Sequence, residues 1–166
     1  MVLEPEEIVD IHQVAAETDV VDFIDLEYFE AKKPEKEIRI LQEMGVHVIA
    51  SHHDFEQTPE RGVIRMLLEQ IRESGADVVK LAVMPQSMQD VLDLLEETNA
   101  FHEKYPDKAL ITMSMGALGA ISRVSGEFFG SCVTFGAGEQ ASAPGQLPMG
   151  ELEQLLGTLH KSISRC

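Results

Sequence analysis

The chain alternates between short runs of apolar, β-branched residues and longer amphipathic segments. The apolar runs predict five strands, at 20–29, 46–53, 77–84, 109–115 and 131–137. The remaining patterned segments predict helices at 6–16, 34–45, 58–76, 87–106 and 149–162. Strand starts spaced by roughly 25 to 30 residues are typical of βα units, and continuously apolar strands are typical of a parallel sheet covered on both faces. The pattern therefore predicts an α/β fold with a parallel sheet.

Residues that favour helix ends support the helix boundaries. Thr58 is placed to cap the helix at 58–76, with Pro59 at its first position and Gly75 at its end. Ser87 is placed to cap the next helix. Helices commonly have a side-chain oxygen at the N-cap, proline in the first turn and glycine after the last turn.

The number of βα units leaves two architectures open. About five units are predicted in 166 residues, whereas a closed (β/α)8 barrel normally needs about 250 residues. The chain is therefore either an open sheet or a piece of a barrel. The glycine-, proline- and serine-rich segment at 136–150 follows a strand, so it is expected at the carboxyl ends of the strands, where α/β proteins bind ligands.

Composition and charge narrow the classes of function. The 166 residues predict one domain, spanning 1–166, and the net charge of −16 argues against nucleic acid or an anionic membrane as a partner. Cys132 and Cys166 show no metal-binding spacing and are expected to be free thiols of a reducing compartment. The acidic N-terminus lacks a signal-peptide pattern, and no apolar run is long enough to cross a membrane. These features predict a cytoplasmic protein.

Each predicted strand carries polar residues near its carboxyl end. If the strands are parallel, these residues converge at one end of the sheet. In strand order they are Asp25 and Glu27, Ser51 to Asp54, Lys80, Thr112 and Ser114 with the following Arg123, and the 142–146 loop.

Lys80 lies within an otherwise apolar strand, "DVVKLAVM". Burying an unpaired ammonium is costly, and a buried lysine that becomes neutral is a nucleophile towards ketones and aldehydes. One interpretation is therefore a Schiff-base lysine. The other is a lysine on an edge strand whose amine reaches water.

The remaining candidates each have a functional and a structural interpretation. In "SHHDF", strand alternation places His52 and His53 on opposite faces, so one of them can work with Lys80 as an acid–base group. Zinc binding is poorly supported because no third ligand has suitable spacing. Glu27 is placed to orient a histidine, to pair with Lys80 or to form an ordinary salt bridge. Arg123 either binds a carboxylate or caps a helix at the surface.

Together these segments resemble a known family. "SHHDF", "KLAVMP", "MSMG…SR" and "ASAPGQ", in this order, with "VDFIDLEYF" before them, are similar to type I 3-dehydroquinate dehydratases. The resemblance extends from about residue 20 to the C-terminus. It implies a (β/α)8-barrel family, a lyase of the shikimate pathway of aromatic biosynthesis, and a homodimer that needs no metal or external cofactor.

The resemblance also implies roles for individual residues. Lys80 matches the imine-forming lysine, and His53, rather than His52, matches the catalytic histidine. Arg123 matches the arginine that holds the substrate carboxylate. The closing loop and the pocket wall are matched by Ser142, Gln146, Met113, Met115 and Phe135.

The chain departs from the family pattern at its beginning. The resemblance implies an incomplete barrel of about five to six βα units without the first strands, which carry an E-x-R motif and a further arginine and glutamate. We therefore expect His53 to lack its usual orienting partner and the dehydratase activity to be weak or absent. Two alternatives are a remnant that serves as a binding or oligomerisation module, and a class I aldolase, which "SHHDF" and "ASAPGQ" together disfavour.

Overall fold

A computed structural model describes residues 4–163, which form a parallel four-stranded sheet with helices packed on one face. The strands follow one another across the sheet in chain order and are β1 (Phe23–Glu27), β2 (His47–Asp54), β3 (Val78–Val83) and β4 (Ala109–Ser114). The helices are α1 (Pro5–Glu17), α2 (Pro34–Glu43), α3 (Arg61–Glu73), α4 (Met88–Lys104), α5 (Ala120–Val124), α6 (Gly126–Phe129) and α7 (Met149–Ile163). The predicted α/β class is confirmed. Cys166 lies outside the described residues, and Cys132 is a free, exposed thiol.

The local signals at the helix ends are correct with one exception. Ser87 caps α4, accepting a hydrogen bond from the Asp90 amide at 3.3 Å. The prediction for α3 is wrong by two to three residues, because α3 begins at Arg61 with Glu60 as its cap. The Thr58 hydroxyl is buried without a hydrogen-bond partner and so does not cap the helix.

The two faces of the sheet differ in chemistry. The outer face packs against α2, α3 and α4 and forms the larger apolar core, which includes Leu26, Val48, Ala50, Val79, Leu81 and Leu110. The inner face is part polar and part apolar, and its smaller cluster contains Val78, Ala82, Ile111, Met113 and Met115. Lys80 lies between Val78 and Ala82 on this inner face by strand alternation.

The predicted fifth strand at 131–137 is wrong, so residues 4–163 contain four strands rather than the five to six βα units expected. This segment starts beside β4, where the Cys132 amide donates to the Leu110 carbonyl at 2.8 Å. The Thr112 amide then donates a hydrogen bond to the Ser131 hydroxyl at 2.9 Å. A side chain thus accepts the hydrogen bond that a backbone carbonyl of a fifth strand would otherwise accept. Further along, Ala137 forms an isolated bridge with Pro148.

Two short helices were missed by the sequence pattern. α5 has five residues and α6 has four, so neither is long enough to show a helical period. Arg123 lies on α5, which packs against β4. Within residues 4–163, no helix is both long enough and apolar enough to span a membrane.

Candidate active site

Lys80 is buried, and its side chain crosses the sheet to form an ion pair with the more exposed Asp25. β3 has β2 on one side and β4 on the other, and Lys80 is 7% exposed, so the edge-strand interpretation is excluded. Its Nζ lies 2.5 Å from Asp25 Oδ2 on β1, two strands away. On the intervening strand β2, Lys80 is in register with the small, buried Ser51, whereas Asp25 is in register with Ile49. The small size of Ser51 leaves room for the long lysine side chain to reach β1. The amine also lies 5.1 Å from the centroid of the Phe135 ring.

Glu27 binds both histidines at the end of β2. Its Oε2 lies 2.6 Å from His53 Nδ1, and its Oε1 lies 3.1 Å from His52 Nδ1 and accepts the His53 amide at 3.1 Å. Burial opposes ionisation of this carboxyl. The hydrogen bonds from His53 and His52 outweigh burial, and the pKa of Glu27 is lowered from its ordinary value. These contacts fit two of the three interpretations of Glu27, the orientation of a histidine and an ordinary salt bridge. The third does not hold, because Asp25 rather than Glu27 pairs with Lys80.

This arrangement corrects the expectation that His53 lacks an orienting carboxylate. Glu27 takes that place from β1, and its bond to Nδ1 leaves Nε2 of His53 as the ring nitrogen that can accept a proton. The His53 ring stacks on Phe55 with centroids 5.8 Å apart.

Lys80 and His53 lie on neighbouring strands of the same face. Ser51 is in register with Lys80, and His53 is in register with Ala82, one strand position higher on that face. Standard strand spacing and rise then put the two Cα atoms roughly 8 Å apart. This separation allows a small molecule bound covalently to Lys80 to present a neighbouring C–H bond to His53.

Arg123 is buried without an acidic partner. It is 1% exposed, so the interpretation as a surface cap is wrong. Its Nη2 donates to the Pro144 carbonyl at 2.9 Å, its Nη1 lies 3.7 Å from Met113 Sδ, and its Nε has no hydrogen-bond partner. Within residues 4–163, no carboxylate oxygen lies within 4 Å of its guanidinium. Burial lowers the pKa of Arg123, although a guanidinium still stays charged.

The loop at 138–148 folds back onto the end of β4 beside Arg123. The Pro144 carbonyl accepts hydrogen bonds from the Gly116 amide at 3.1 Å and from Arg123. Of the predicted loop residues, Ser142 is exposed and Gln146 is half-buried. They hydrogen-bond each other, with the Ser142 amide donating to Gln146 Oε1 at 2.8 Å. Arg123 and this loop therefore form one unit through Pro144.

The pocket-wall predictions place three apolar side chains near these groups. Met113 and Met115 are buried in the inner cluster, and Phe135 packs against that cluster while contacting Lys80. Thr112 and Ser114, in contrast, do not join the site. The Thr112 hydroxyl lies 2.8 Å from that of Thr98 on α4, and the Ser114 backbone bonds Ser122.

A cavity of 820 Å³ lies between α5, α6 and α7. It is lined by Arg123 but by neither Lys80 nor His53. We place the candidate site on the inner sheet face, because the ion pair, the histidine–glutamate pair and the unpaired arginine all lie along the strand ends there.

The family model for type I 3-dehydroquinase matches residues 2–163. The chain belongs to the type I 3-dehydroquinase family. Among curated members of this family, the chain is 45% identical over 157 residues to the 3-dehydroquinate dehydratase of Bacillus licheniformis, covering 92% of this chain and 61% of the relative. It is 46% identical over 149 residues to that of Bacillus subtilis, covering 89% and 58%. The chain thus spans about 60% of the length of these dehydroquinases.

Solved dehydroquinase structures share the fold. The type I enzyme from Clostridium difficile, whose structure is described with covalently modified comenic acid, is 42% identical, with a TM-score of 0.91 over 98% of this chain and 64% of that one. The dehydratase from Geobacillus kaustophilus is 35% identical, with a TM-score of 0.92 over 97% and 62%. The resemblance inferred from the motifs is therefore confirmed at the level of the family.

The sequence analysis did not predict that Asp25 pairs with Lys80, or that His52 is a second hydrogen-bond partner of Glu27. Asp25 and Glu27 share a face in the alternating stretch "DFIDLE", and that alternation was the available signal. No pattern in the sequence reports which carboxylate meets which cation.

Proposed function

We propose that the chain dehydrates 3-dehydroquinate to 3-dehydroshikimate, a step of the shikimate pathway, through an imine on Lys80. The observation that carries the proposal is the combination on one sheet face of a buried lysine bonded to Asp25 and a histidine bonded to Glu27. Family membership supports the substrate, and the covalently modified molecule described for the Clostridium difficile enzyme supports covalent chemistry at such a site.

The first half of the reaction forms the imine. Transfer of one proton from Lys80 to Asp25, across the 2.5 Å contact, gives the neutral amine that attacks the C3 ketone. Water leaves, and a protonated imine remains on Lys80. The Phe135 ring faces this nitrogen and stabilises its positive charge through a cation–π contact.

The second half breaks the C–O bond. The protonated imine withdraws electrons from C2, and His53 removes the C2 proton through Nε2 while Glu27 holds Nδ1. The electron pair forms the C1–C2 double bond, and the C1 hydroxyl leaves as water with a proton from His53. Hydrolysis then releases the product and Lys80, so the net change is the loss of one water molecule.

Arg123 supplies the carboxylate site in this proposal. A buried guanidinium with a free Nε and no acidic partner among residues 4–163 is suited to bind a carboxylate from outside the chain. The 142–146 loop, joined to Arg123 through Pro144, closes over that carboxylate with Ser142 and Gln146. Met113 and Met115 form the apolar wall.

The direct test is turnover by the purified 166-residue chain. Dehydration creates a double bond conjugated to the ketone, so product appears as ultraviolet absorbance. We expect slow turnover above the background of the Lys80→Arg variant. Turnover at about 1–10³ s⁻¹, the range typical of enzymes, would contradict our expectation of weak activity. No turnover by a chain shown to be folded would instead favour a non-catalytic module.

The alternative function, an oligomerisation or binding module, has one observation in its favour. In the described part of the chain β1 pairs with a strand on one side only, and Phe23 on this edge is 52% exposed. Free strand edges favour pairing with another chain. We propose a homodimer as the assembly, to be tested by light scattering of the purified chain, and a cytoplasmic location.

A further inference from the structure

The Glu27 carboxylate has two histidine partners, although catalysis as proposed above uses only one. Its Oε1 lies 3.1 Å from His52 Nδ1 and also accepts the His53 amide at 3.1 Å. This leaves Oε2 for the His53 ring, at 2.6 Å. The three side chains are each about one-quarter exposed, so water competes only in part for these bonds.

The geometry at the strand end explains how residues on opposite faces reach one carboxylate. Glu27 is the last residue of β1 and is in register with Ser51, so both histidines lie beyond the point where β1 ends. After Glu27 the chain turns, and the Tyr28 amide donates to the Ser51 carbonyl at 2.8 Å. Because β1 has ended at this level, no residue of β1 lies beside either histidine, and the Glu27 carboxylate contacts both.

The His52 ring is itself held in place. It meets the ring of Phe29 edge to face, with centroids 5.0 Å apart and an interplanar angle of 80°. This contact restrains the His52 ring in the position from which its Nδ1 meets Glu27.

We propose that His52 is a positioning residue: its Nδ1–H anchors Glu27 Oε1, which fixes Glu27 Oε2 on His53 Nδ1 and keeps Nε2 of His53 unprotonated and able to accept a proton. An ionised carboxylate only accepts hydrogen bonds, so each histidine that binds it through Nδ1 carries its proton there. If the His52 bond is lost, Glu27 has one side-chain donor fewer to define its orientation, and the His53 tautomer is less strongly fixed. This inference rests on the proposed function for its catalytic consequence but not for the tautomer itself.

Two variants separate hydrogen bonding from packing. His52→Asn keeps an N–H donor near the position of Nδ1 and removes most of the ring, whereas His52→Phe keeps a ring against Phe29 and removes the donor. The first measurement is the His53 tautomer, read from ¹H–¹⁵N correlations of the imidazole in histidine-labelled chain, with His53→Gln for assignment. The second is kcat and KM for 3-dehydroquinate.

We expect the wild type and His52→Asn to show the Nδ1–H tautomer of His53, and His52→Phe to show a mixture with the Nε2–H form. We also expect kcat to fall about ten-fold in His52→Phe with KM unchanged, and to recover in His52→Asn. An unchanged tautomer in His52→Phe, or equal effects in both variants, would overturn the proposal. A wild type without turnover would contradict the proposed function alone, since the tautomer measurement still decides the role of His52.

Discussion

The two buried cations of the site, Lys80 and Arg123, have different partners. Lys80 lies 2.5 Å from the carboxylate of Asp25 and faces the Phe135 ring. Arg123 is more deeply buried, yet it meets a carbonyl and a sulfur rather than a carboxylate, and its Nε is unpartnered. A buried charge is normally paired. This difference is the basis of our proposal that Lys80 exchanges a proton within the chain, whereas Arg123 binds an anion that comes from outside.

The largest effect is expected when the proposed nucleophile is removed while its positive charge is kept. Lys80→Arg retains a cation that can bond Asp25, but a guanidinium does not form an imine. We expect turnover to fall below detection while the fold is retained, as judged by circular dichroism and thermal unfolding. Residual turnover at the wild-type rate in Lys80→Arg would exclude covalent catalysis by Lys80.

Loss of the Glu27 carboxylate should give the next largest effect. We expect Glu27→Ala to lower kcat by about 10²-fold or more, because His53 loses the partner that fixes its Nδ1 proton. Glu27→Gln keeps the shape of the side chain and serves as the matched control for packing. Steady-state kinetics on both variants are the measurement. A kcat that stays near wild type in Glu27→Ala would mean that another group orients His53.

The lowered pKa of Glu27 also predicts a pH dependence of stability. A carboxyl whose pKa is lower in the folded chain stabilises the fold fully above its ordinary pKa of about 4.3, and loses that contribution as pH falls towards the folded-state pKa. The difference in free energy of unfolding between wild type and Glu27→Gln should therefore be constant above about pH 5 and shrink below it. Urea titrations at a series of pH values measure this difference, and one that grew on acidification would have the wrong sign.

Arg123 should respond in substrate binding rather than in folding. We expect Arg123→Met to raise KM about 10- to 100-fold, because a charge-assisted contact to the substrate carboxylate is lost. The free energy of unfolding should stay the same or increase, since the substitution removes a buried charge that has no acidic partner. A strongly destabilised Arg123→Met chain would contradict the view that Arg123 lacks a stabilising partner in the fold.

Asp25→Asn, in contrast, should lower the free energy of unfolding of the chain, because Lys80 loses the negative charge that pairs with it.

A smaller effect is expected from Gly145 in the loop. Gly145 has a φ of +77°, and a Cβ at this position would lie 2.3 Å from the Gly116 carbonyl oxygen. Gly145→Ala should therefore displace Pro144 and weaken its bond to Arg123, raising KM several-fold with little change in kcat. Gly138→Ala, where a Cβ meets nothing within 4 Å, is the matched control. Equal kinetics in the two variants would show that the loop contact does not matter for binding.

The fold could be predicted largely from the sequence, because the positions of four strands and five helices follow from apolar periodicity. The false fifth strand shows the limit of this reasoning. Residues 131–137 have the composition of a strand, but the Thr112 amide, which would hydrogen-bond a fifth strand, donates to the Ser131 hydroxyl instead. Composition reports a preference for extended backbone and cannot report such a competing side chain.

The residues of the candidate site could be predicted from the sequence, but the contacts between them could be predicted less well. Lys80 stood out as a polar residue among apolar neighbours, whereas the choice of His53 over His52 and the role of Arg123 came from the family resemblance. The positions of all three agree with the roles that we propose for them. The bond from Lys80 to Asp25 joins residues two strands apart across the small Ser51 of β2, a relation that no local sequence pattern contains. The contacts of Glu27 with both histidines could not be predicted either, because they depend on the point at which β1 ends.

Trapping of the imine is the decisive test of covalent catalysis by Lys80. The purified chain would be incubated with 3-dehydroquinate, reduced with borohydride, digested and mapped by mass spectrometry, with Lys80→Arg as the control. We expect a single reduced adduct on Lys80 in the wild type and none in the variant. A folded wild-type chain without an adduct, or with one on another lysine, would contradict covalent catalysis by Lys80.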